Sequence, residues 1–537
     1  MVWTDKCKRL RKVTDWPVVI SLRYNLSIIR QTIKIITRWQ VSFVIYKQGI
    51  SRRKFLKNSS QYSLATAVAA NSVGMLGLLN ASDVMADPND PNDYKALVFI
   101  MLEGGNDCFN MIVPTGSGAL RTNYELGRGV VALPEEGLHS LNLVSPAKVH
   151  EGSDSSEFAM HPSCSAMAEL FNNQDLAVIC NAGNLVTPIS REQYFSGVAD
   201  LPPQLYSHTD QERQLQSEPT NPFIYGWGGR MAEMLTPYNT DNQVSPLISI
   251  SGLNSFQVTR DSQINTYALG RDGVAPLYGF YGYRQAIVES SMQSIDSSSH
   301  LMAQKYRDTF DSAQLAETIV QGAFQEAESS GVDYDGIFTA AGGTNSVLTR
   351  ELKTLAKMIA GRSNNNNNRP VYFISVGGFD NHQKLLPDHE ALMADLNASL
   401  KGFRDCLDAQ GDFDKVLTMV CSEFARTFTP NGDDPVESGT DHGWGGHMMV
   451  MGDMVNGGRF YGSHPNLALD EGLDTDRGRW IPTTANSQCA AIAANWMGVA
   501  ESDLSGLFPT LDNFPNPFDI SENLGFINGA PIYGELS

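Results

Sequence analysis

Four apolar segments of strand length constrain the fold of this chain more than any other feature. They read ALVFIML (residues 96–102), VYFISV (371–376), VLTMVC (416–421) and MMVM (448–451), and each lies next to glycines and polar residues. Short, uninterrupted apolar runs are typical of strands that are buried on both faces. Because segments with helical spacing lie between them, the sequence predicts an α/β fold with a largely parallel sheet sandwiched between helices.

The segments between these runs have the spacing of helices that face a core. Residues 285–330 and 347–360 are amphipathic, and residues 158–182 predict a helix followed by the strand LAVICNAG. The asparagine tract at 364–368 predicts a solvated loop, and GWGGR at 226–230 predicts a turn. A further helix is predicted where large apolar residues recur at helical intervals, at Leu392, Leu396, Leu400, Phe403 and Leu407.

The charge divides the chain into a basic beginning and an acidic remainder. Residues 1–86 hold 14 Lys and Arg against 3 Asp and Glu, whereas the remaining residues hold 25 basic and 56 acidic side chains. An acidic body repels phosphate backbones, so nucleic acid is not predicted as a partner. The excess negative charge is equally consistent with solubility alone or with a cationic partner.

The basic beginning has the features of an export signal. Arg52 and Arg53 precede Phe55, a weakly apolar stretch rich in small residues, and Ala86. This pattern predicts a twin-arginine signal at 51–86 that is cleaved after Ala86, so the protein is expected in the periplasm or outside the cell. The membrane is then a partner only transiently, during export, and small and polar residues argue against a membrane-spanning helix at 61–81.

The remaining chain predicts a linker and one large domain. Residues 87–94 form a linker rich in Asp, Asn and Pro, and residues 95–537 are expected to form a single α/β domain. Residues 1–50 are basic and partly apolar, and two interpretations stay open: an unusually long leader, or a start codon assigned too early. Twin-arginine export moves folded proteins, which suits a chain that takes up a metal before it crosses the membrane.

The cysteines favour buried free thiols over disulfides. Cys180 and Cys421 lie inside apolar, strand-like runs, where a buried free thiol is the commoner state. No C-x-x-C spacing occurs, so a zinc site made of thiolates is not predicted.

Polar residues with metal-binding chemistry collect where the apolar runs begin or end. In a parallel sheet covered by helices, ligands bind beyond the carboxyl ends of the strands. Carboxylates that converge there repel one another unless a cation neutralises them, so we predict one or two divalent ions, with zinc or manganese favoured by the mixture of carboxylates and imidazoles. The predicted metal ligands are Asp107, Asp380, His382, Glu423, Asp441 and His442.

Catalytic groups are less clearly marked. Arg426 has the planar fork that grips phosphate or sulfate. In the segment YSHTD, Ser207 and His208 stand at a predicted helix start, where a metal or a histidine could activate the hydroxyl; the alternative is that Ser207 only caps the helix. Each residue alone has an ordinary structural interpretation, such as a helix cap at Asp107, but the same design at four strand ends favours a shared site.

The order of the motifs resembles one known family. LEGGNDCFNMIVP, GGFDNH, SEFART and GTDHGWGGHMMVMG follow one another behind the predicted twin-arginine signal. Together they resemble the secreted bacterial family called domain of unknown function 1501, over roughly residues 95 to 500. That family is similar to the alkaline phosphatase and sulfatase superfamily, whose α/β sheet carries two metals and a hydroxyl or formylglycine nucleophile.

The resemblance implies roles for individual residues. Asp107 matches the first metal aspartate, and His442 matches the final metal histidine. Asp380 and His382 match a metal-binding pair on a later strand, and Glu423 stands where the superfamily usually has an Asp-His pair.

Three departures from the superfamily pattern accompany the resemblance. Phe424 occupies the place of a second metal histidine, and the spacing from Asp380 to His382 is shorter than usual. The Cys-x-Pro-Ser-Arg sequence that matures to formylglycine in sulfatases is absent. These departures imply that one metal position is altered or lost.

Two functions follow from these observations. The first is an exported metal-dependent hydrolase of small anionic esters, such as phosphate or sulfate esters. The alternative is a non-catalytic periplasmic binding or assembly protein that keeps the fold around a structural metal. Neither the oligomeric state nor the substrate is encoded in any motif.

Overall fold

A computed structural model describes residues 94–221, 225–239, 244–261, 264–273, 280–365 and 367–528. The predicted leader and export signal, and the linker through residue 93, lie outside these ranges. The strands are β1 (Ala96–Leu102), β2 (Ile112–Pro114), β3 (His139–Ser140), β4 (Phe158–Met160), β5 (Leu176–Gly183), β6 (Leu247–Ser249), β7 (Tyr267–Ala268), β8 (Val371–Val376), β9 (Val416–Cys421), β10 (Gly446–Met451), β11 (Phe460–Gly462) and β12 (Thr484–Ala485).

The α-helices alternate with these strands along the chain. They are α1 (Cys108–Met111), α2 (Ala119–Arg128), α3 (Ser165–Asn172), α4 (Arg191–Ser196), α5 (His208–Gln216), α6 (Trp227–Met234), α7 (Gly282–Gln293), α8 (Leu301–Ser329), α9 (Tyr334–Ala340), α10 (Val347–Ala360), α11 (Leu385–Ala409), α12 (Asn486–Met497) and α13 (Glu501–Leu507). The helices predicted within 285–330, at 347–360 and around Leu392 to Leu407 are confirmed, as is the helix followed by a strand within 158–182.

A nine-stranded sheet forms the centre of the described fold. Its order is β11-β5-β10-β9-β1-β8-β6-β7, with β12 paired to β5, and every neighbouring pair is parallel except the two that involve β10. Strands β2, β3 and β4 form a separate small antiparallel sheet. The predicted largely parallel sheet is therefore confirmed.

The reversed direction of β10 decides which residues meet. Leu102 of β1 pairs with Val376 of β8, and Met101 of β1 pairs with Cys421 of β9, so these three strands end at the same level. Because β10 runs antiparallel to β9, its beginning lies at the edge where those strands end. Residues that follow β1, β8 and β9 therefore share one rim with residues that precede β10.

Helices cover both faces of the sheet, as the apolar runs predict. Successive residues of β1 contribute to opposite faces: Val98 and Ile100 belong to the core beneath α3 and α8 to α11, whereas Leu97 and Phe99 belong to the core beneath α6, α12 and α13. The ring of Phe99 stacks on that of Phe256 at a centroid distance of 4.7 Å. A strand of this kind has no polar face, which explains the unbroken apolar run.

Two local predictions were wrong. Within the asparagine tract, Asn365 and Asn367 are buried, and the Asn367 amide donates to the carbonyl of Val244, because the tract leads directly into β8 beside β6. GWGGR does not form a turn: Gly226 is the N-cap of α6, and Gly229 lies against the backbone of Val258, where a side chain would not fit.

The prediction of buried free cysteines agrees with the structure, whereas the prediction for residues 61–81 lies outside the described residues. Six cysteines, Cys108 to Cys489, are free and buried. None of the helices in the described ranges is both long and apolar enough to cross a bilayer.

Candidate metal centre

Three histidines and one aspartate meet at the rim of the sheet. Asp380 and His382 follow β8, His442 precedes β10, and His208 is the first residue of α5. The candidate ligand atoms of His208, Asp380 and His442 all lie within 4.8 Å of one another. This group, together with His382, is called the histidine cluster below.

The ring nitrogens of the cluster converge on one carboxylate oxygen. Asp380 Oδ1 lies 3.0 Å from His382 Nε2, 3.3 Å from His442 Nε2 and 3.4 Å from His208 Nε2. The Nε2 atoms of His382 and His442 are themselves only 3.0 Å apart. Two uncharged imidazoles cannot both donate across such a distance. The protonation of these rings therefore decides whether their Nε2 atoms donate hydrogen bonds or present lone pairs to a cation.

The opposite nitrogen of each ring fixes its tautomer. His442 Nδ1 lies 2.7 Å from the carbonyl oxygen of Tyr206, an atom that only accepts hydrogen bonds. His208 Nδ1 lies 2.8 Å from Glu423 Oε1, and His382 Nδ1 lies 3.0 Å from Asp441 Oδ1. Each Nδ1 therefore carries the hydrogen in the neutral ring, which leaves three Nε2 lone pairs facing one another. Histidines that ligate metals show this same arrangement.

The residues fit a divalent ion. Bonds of 2.0–2.1 Å from zinc to four tetrahedral ligands imply a separation of about 3.3 Å between ligand atoms. The measured separations around Asp380 Oδ1, 3.0 to 3.4 Å, bracket that value. Imidazole nitrogen and carboxylate oxygen are also donors that zinc prefers, and manganese accepts them as well.

The electrostatics of the rim favour a cation. Burial raises the pKa of Asp380, but the hydrogen bond and charge of Arg426 outweigh burial, so the net pKa lies below its usual value. Burial lowers the pKa of His442, which keeps that ring neutral. Burial, reinforced by the charges of Glu103 and Glu423, raises the pKa of Glu212 one turn after His208, as expected where negative charge is in excess.

The glycine-rich segment before β10 is held between two other strand ends. On one side, Thr440 N donates to the carbonyl of Asn381, and on the other, Gly443 N donates to the carbonyl of Ala425 at 2.6 Å. A Cβ on Gly439 would collide with the backbone of His382, and one on Gly443 would lie 2.7 Å from the Ala425 oxygen. These glycines permit close approach of three backbone segments, and neither has the positive φ of a turn glycine.

Arg426 does not have the role predicted for it. Its side chain is completely buried, with Nη1 donating to Asp380 Oδ1 at 2.5 Å and to the Gly104 carbonyl at 2.9 Å. Its other donors bond the hydroxyl and the carbonyl of Thr440. The guanidinium therefore orients Asp380 and joins three strand ends, and it has no face free to grip an anionic substrate.

Asp107, a predicted metal ligand, lies apart from the histidine cluster. It precedes α1 and forms an ion pair with Arg128 of α2, with both side chains completely inaccessible to solvent. Arg128 further donates to the Asn110 side chain and to the Phe428 carbonyl. The prediction that Asp107 is a metal ligand is not supported by this arrangement, because Arg128 supplies the positive charge that the sequence interpretation assigned to a metal.

Ser207 precedes His208 in the chain, and its hydroxyl is held by a hydrogen bond. It is the N-cap residue of α5, but its side chain makes no capping hydrogen bond. Instead, Ser207 Oγ donates to Asp210 Oδ2 at 2.6 Å. The helix-cap alternative therefore does not explain the hydroxyl.

Phe424 occupies the space next to two of the ligand rings. Its ring stacks on His442 at a centroid distance of 5.0 Å and lies 4.9 Å from His208. Glu423, the neighbouring residue, points the other way, accepting from Gly104 N and from His208. An apolar ring therefore lies beside His208 and His442, at the position predicted for a second metal histidine.

Asp441 connects the cluster to a neighbouring cavity. Its Oδ2 accepts from Arg477 at 2.5 Å while its Oδ1 holds His382, and the hydrogen bonds to these two residues bring its pKa to about 2 against the opposing effect of burial. A cavity of about 680 Å³ is lined in part by Asp441, Asn431, Arg477 and Thr429. Asp441 therefore contacts the cluster through His382 and also forms part of the wall of this cavity.

Sequence reasoning missed three residues of this site. Arg477 lies in the charged segment DTDRGR, a signal that could have been noticed. Asn431 donates to the His382 carbonyl at 2.8 Å. Tyr206 contributes only its carbonyl oxygen, so its side chain gives no indication of the role.

The fold and the site define a class: an α/β protein with a largely parallel sheet and a histidine–carboxylate cluster at its rim. Residues 94–474 match the family model described as protein of unknown function DUF1501. The match spans well over half of the chain, so the protein belongs to the DUF1501 family, as the motif order indicated. No curated protein matches the sequence.

Solved structures overlap with the chain only distantly. The lipoteichoic acid synthase LtaP from Listeria monocytogenes is 9% identical, with 71% of this chain and 72% of that one covered at a TM-score of 0.28. Ps i-CgsB in complex with k-i-k-neocarrahexaose is 9% identical, covering 80% and 78% at 0.31. The PsFucS1 sulfatase from Pseudoalteromonas sp. is 12% identical, covering 70% and 66% at 0.26.

Proposed function

We propose that the protein is an exported metal-dependent hydrolase of small anionic esters, namely phosphate or sulfate esters. The observation that carries the proposal is the histidine cluster, in which three imidazole Nε2 atoms and a carboxylate oxygen converge. In this proposal His208, Asp380 and His442 hold one divalent ion, with zinc favoured over manganese by the two imidazoles. The ion supplies Lewis-acid stabilisation of charge that develops on the ester oxygens.

His382 is proposed as the group that moves a proton. Its ring is less buried than those of His208 and His442, and Asp441 holds its Nδ1 while Nε2 faces the cluster. A carboxylate that orients a histidine is the usual support for a general acid or base. Arg477 fixes Asp441 from the side of the cavity, so the ring keeps its orientation while substrate binds.

Ser207 is proposed as the nucleophile. Asp210 orients the hydroxyl and can accept its proton as Ser207 Oγ attacks phosphorus or sulfur; the ester bond from that atom to the alcohol oxygen breaks, and the alcohol leaves after taking a proton from the protonated His382. The serine immediately precedes His208, a proposed metal ligand, in the chain. Hydrolysis of the resulting serine ester by water would complete the turnover.

A second candidate function follows from the same geometry. Three imidazoles and one carboxylate are enough to complete a tetrahedral zinc site, and a site with four protein ligands is typical of a structural ion. If His382 is the fourth ligand, the protein is a non-catalytic binding or assembly protein of the periplasm. The two candidates differ in whether the ion has a position open to substrate.

Metal content and turnover test the proposal together. We expect the purified chain to retain about one equivalent of zinc or manganese per molecule and to hydrolyse aryl phosphates or aryl sulfates. Ser207→Ala should lower turnover by roughly 100-fold or more, because positioned nucleophiles and bases contribute on that scale. The matched variant Thr209→Ala, at an exposed position two residues along, should change little. Absence of bound metal by elemental analysis would end the proposal.

Export is a separate proposal that rests on residues 51–86. We propose that Arg52 and Arg53 direct the folded, metal-loaded chain through the twin-arginine pathway. In a bacterium with that pathway, replacing both arginines by lysine should keep the protein in the cytoplasm, whereas Lys57→Gln should not. Fractionation and the mass of the mature chain, which should begin at Asp87, check this result. Unchanged export of the double variant would refute it.

A further inference from the structure

Tyr206 has a backbone conformation that tyrosine rarely adopts. Its φ is +71°, in the left-handed region. Non-glycine residues there are uncommon, and a bulky side chain makes the conformation less favourable still. Such strain persists only where surrounding contacts enforce it, and it concentrates at functional sites.

The strained residue presents its carbonyl oxygen to a proposed metal ligand. The distance from the Tyr206 oxygen to His442 Nδ1 is 2.7 Å, the shortest of the three Nδ1 contacts in the histidine cluster. The Nδ1 atoms of His208 and His382 donate to flexible carboxylate side chains, whereas that of His442 donates to a main-chain carbonyl. Only the backbone dihedrals of this segment can aim that group.

Contacts on every side hold Tyr206 in place. Its amide donates to the Gln211 side-chain oxygen at 2.6 Å, and its hydroxyl lies 3.3 Å from that of Tyr194. The guanidinium of Arg479 lies over the Tyr206 ring, 5.1 Å from its centre, while Arg479 Nε donates to the His442 carbonyl at 2.8 Å. Arg479 therefore binds both members of the Tyr206–His442 pair.

The same residue also leads into the second ligand. Tyr206 is followed by Ser207, the N-cap of α5, and then by His208, whose ring centre lies 4.2 Å from that of His442. Two peptide units therefore separate the carbonyl that orients His442 from the side chain of His208. A change in φ at Tyr206 would move both.

We infer that Tyr206 is a positioning residue whose left-handed backbone fixes the Nδ1–H tautomer of His442 and sets its Nε2 against that of His208 for metal binding. This inference rests on the proposed function, because it needs the cluster to bind an ion. It assigns the effect to the backbone conformation of Tyr206, and only secondarily to its ring. The role requires no contact between Tyr206 and the ion.

Substitutions that differ in backbone preference separate this role from simple packing. Glycine and asparagine adopt a positive φ readily, whereas a β-branched residue does not. Tyr206→Gly and Tyr206→Asn should therefore keep most of the metal affinity, although they lose the ring. Tyr206→Val should lower the metal affinity by roughly 10- to 100-fold, the range found when an outer partner of a ligand histidine is removed. A packing role predicts the opposite order, because valine replaces more of the lost volume than glycine.

The readout is metal binding, measured apart from any activity. Cobalt(II) is titrated into the metal-free full chain, with its visible absorption reporting the coordination geometry, and zinc affinity is measured by competition with a chelator. Gln174→Val is the matched control: Gln174 is exposed, has a φ of +66° and follows α3, so the variant carries the same backbone penalty away from the cluster. It should lose stability while keeping cobalt affinity and spectrum.

Each outcome bears on the inference. Loss of metal affinity in Tyr206→Val, with affinity retained in Tyr206→Gly and Tyr206→Asn, supports it. Equal affinity of Tyr206→Val and the wild-type chain overturns it while leaving the proposed function intact. A tenfold loss in both Tyr206→Gly and Tyr206→Asn also overturns it, and this comparison stands even if the valine variant does not fold. A wild-type chain that binds neither cobalt nor zinc refutes the proposed function itself, and the inference falls with it.

Discussion

His442→Gln should abolish metal binding, whereas His382→Gln should leave the ion bound and remove turnover. His442 Nε2 belongs to the mutually close group formed with His208 and Asp380, so its loss leaves two of the three proposed ligands. We expect affinity for zinc to fall by more than the roughly 10- to 100-fold that loss of an outer partner causes. His382 instead has the position of a proton-transfer group, whose removal lowers rates by about 100- to 10,000-fold.

The comparison of these two variants separates the two candidate functions. In a structural site with four ligands, His382→Gln would weaken metal binding about as much as His442→Gln does. In the proposed hydrolase, only His442→Gln loses the ion. His150→Gln provides the control, because His150 is partly exposed and its nearest charged group is Glu151. Equal metal loss in both cluster variants would favour the binding or assembly protein.

The rim of the sheet could be predicted because the strands themselves are strongly encoded. VYFISV and VLTMVC have the pattern of buried strands and form them, and neighbouring parallel strands bring the residues after them to one edge. That reasoning correctly gathered Asp380, His382 and Glu423. His442 precedes its strand, and it joins the others only because β10 is antiparallel to β9, a direction that the apolar pattern does not specify.

The partners of buried charges could not be predicted from the same pattern. Asp107 follows a strand just as Asp380 does, so the strand pattern predicts the same metal-binding role for both. What separates them is Arg128, which lies 21 residues further on at the end of α2 and reaches Asp107 only through the packing of that helix. Arg426 was misjudged for the same reason, since its acceptors at Gly104 and Thr440 come from two other strand ends.

Backbone conformation is the second feature of the site that the sequence does not reveal. The left-handed conformation of Tyr206 follows from contacts with Gln211 and Arg479, residues that no local rule connects with it. By contrast, the glycines before β10 were recognisable, because a cluster of residues without Cβ signals close approach of backbones. In the structure this segment is held by hydrogen bonds between the backbones of Asn381 and Ala425.

The buried pair of Asp107 and Arg128 leads to the second prediction with a large effect. Arg128→Met should lower the free energy of unfolding by about 3–5 kcal/mol, because it leaves the Asp107 carboxylate buried without its partner. Asp107 Oδ1 has no hydrogen-bond partner among the described residues, so Arg128 is the partner that the carboxylate would lose. Adding Asp107→Asn removes the stranded charge and should restore part of the loss. Urea unfolding of the two single variants and the double variant measures this coupling.

The same variants test whether Asp107 belongs to the metal site. Because Asp107 lies outside the histidine cluster, Asp107→Asn should reduce stability yet leave zinc affinity nearly unchanged. Lys353→Met is the control for loss of a basic residue: Lys353 pairs with the exposed Asp335, and such surface pairs contribute only about 0–1 kcal/mol. A large loss of metal affinity in Asp107→Asn, together with normal stability, would return Asp107 to the ligand role that the motif resemblance implied. Stability loss without metal loss would establish that a guanidinium, and not an ion, neutralises this carboxylate.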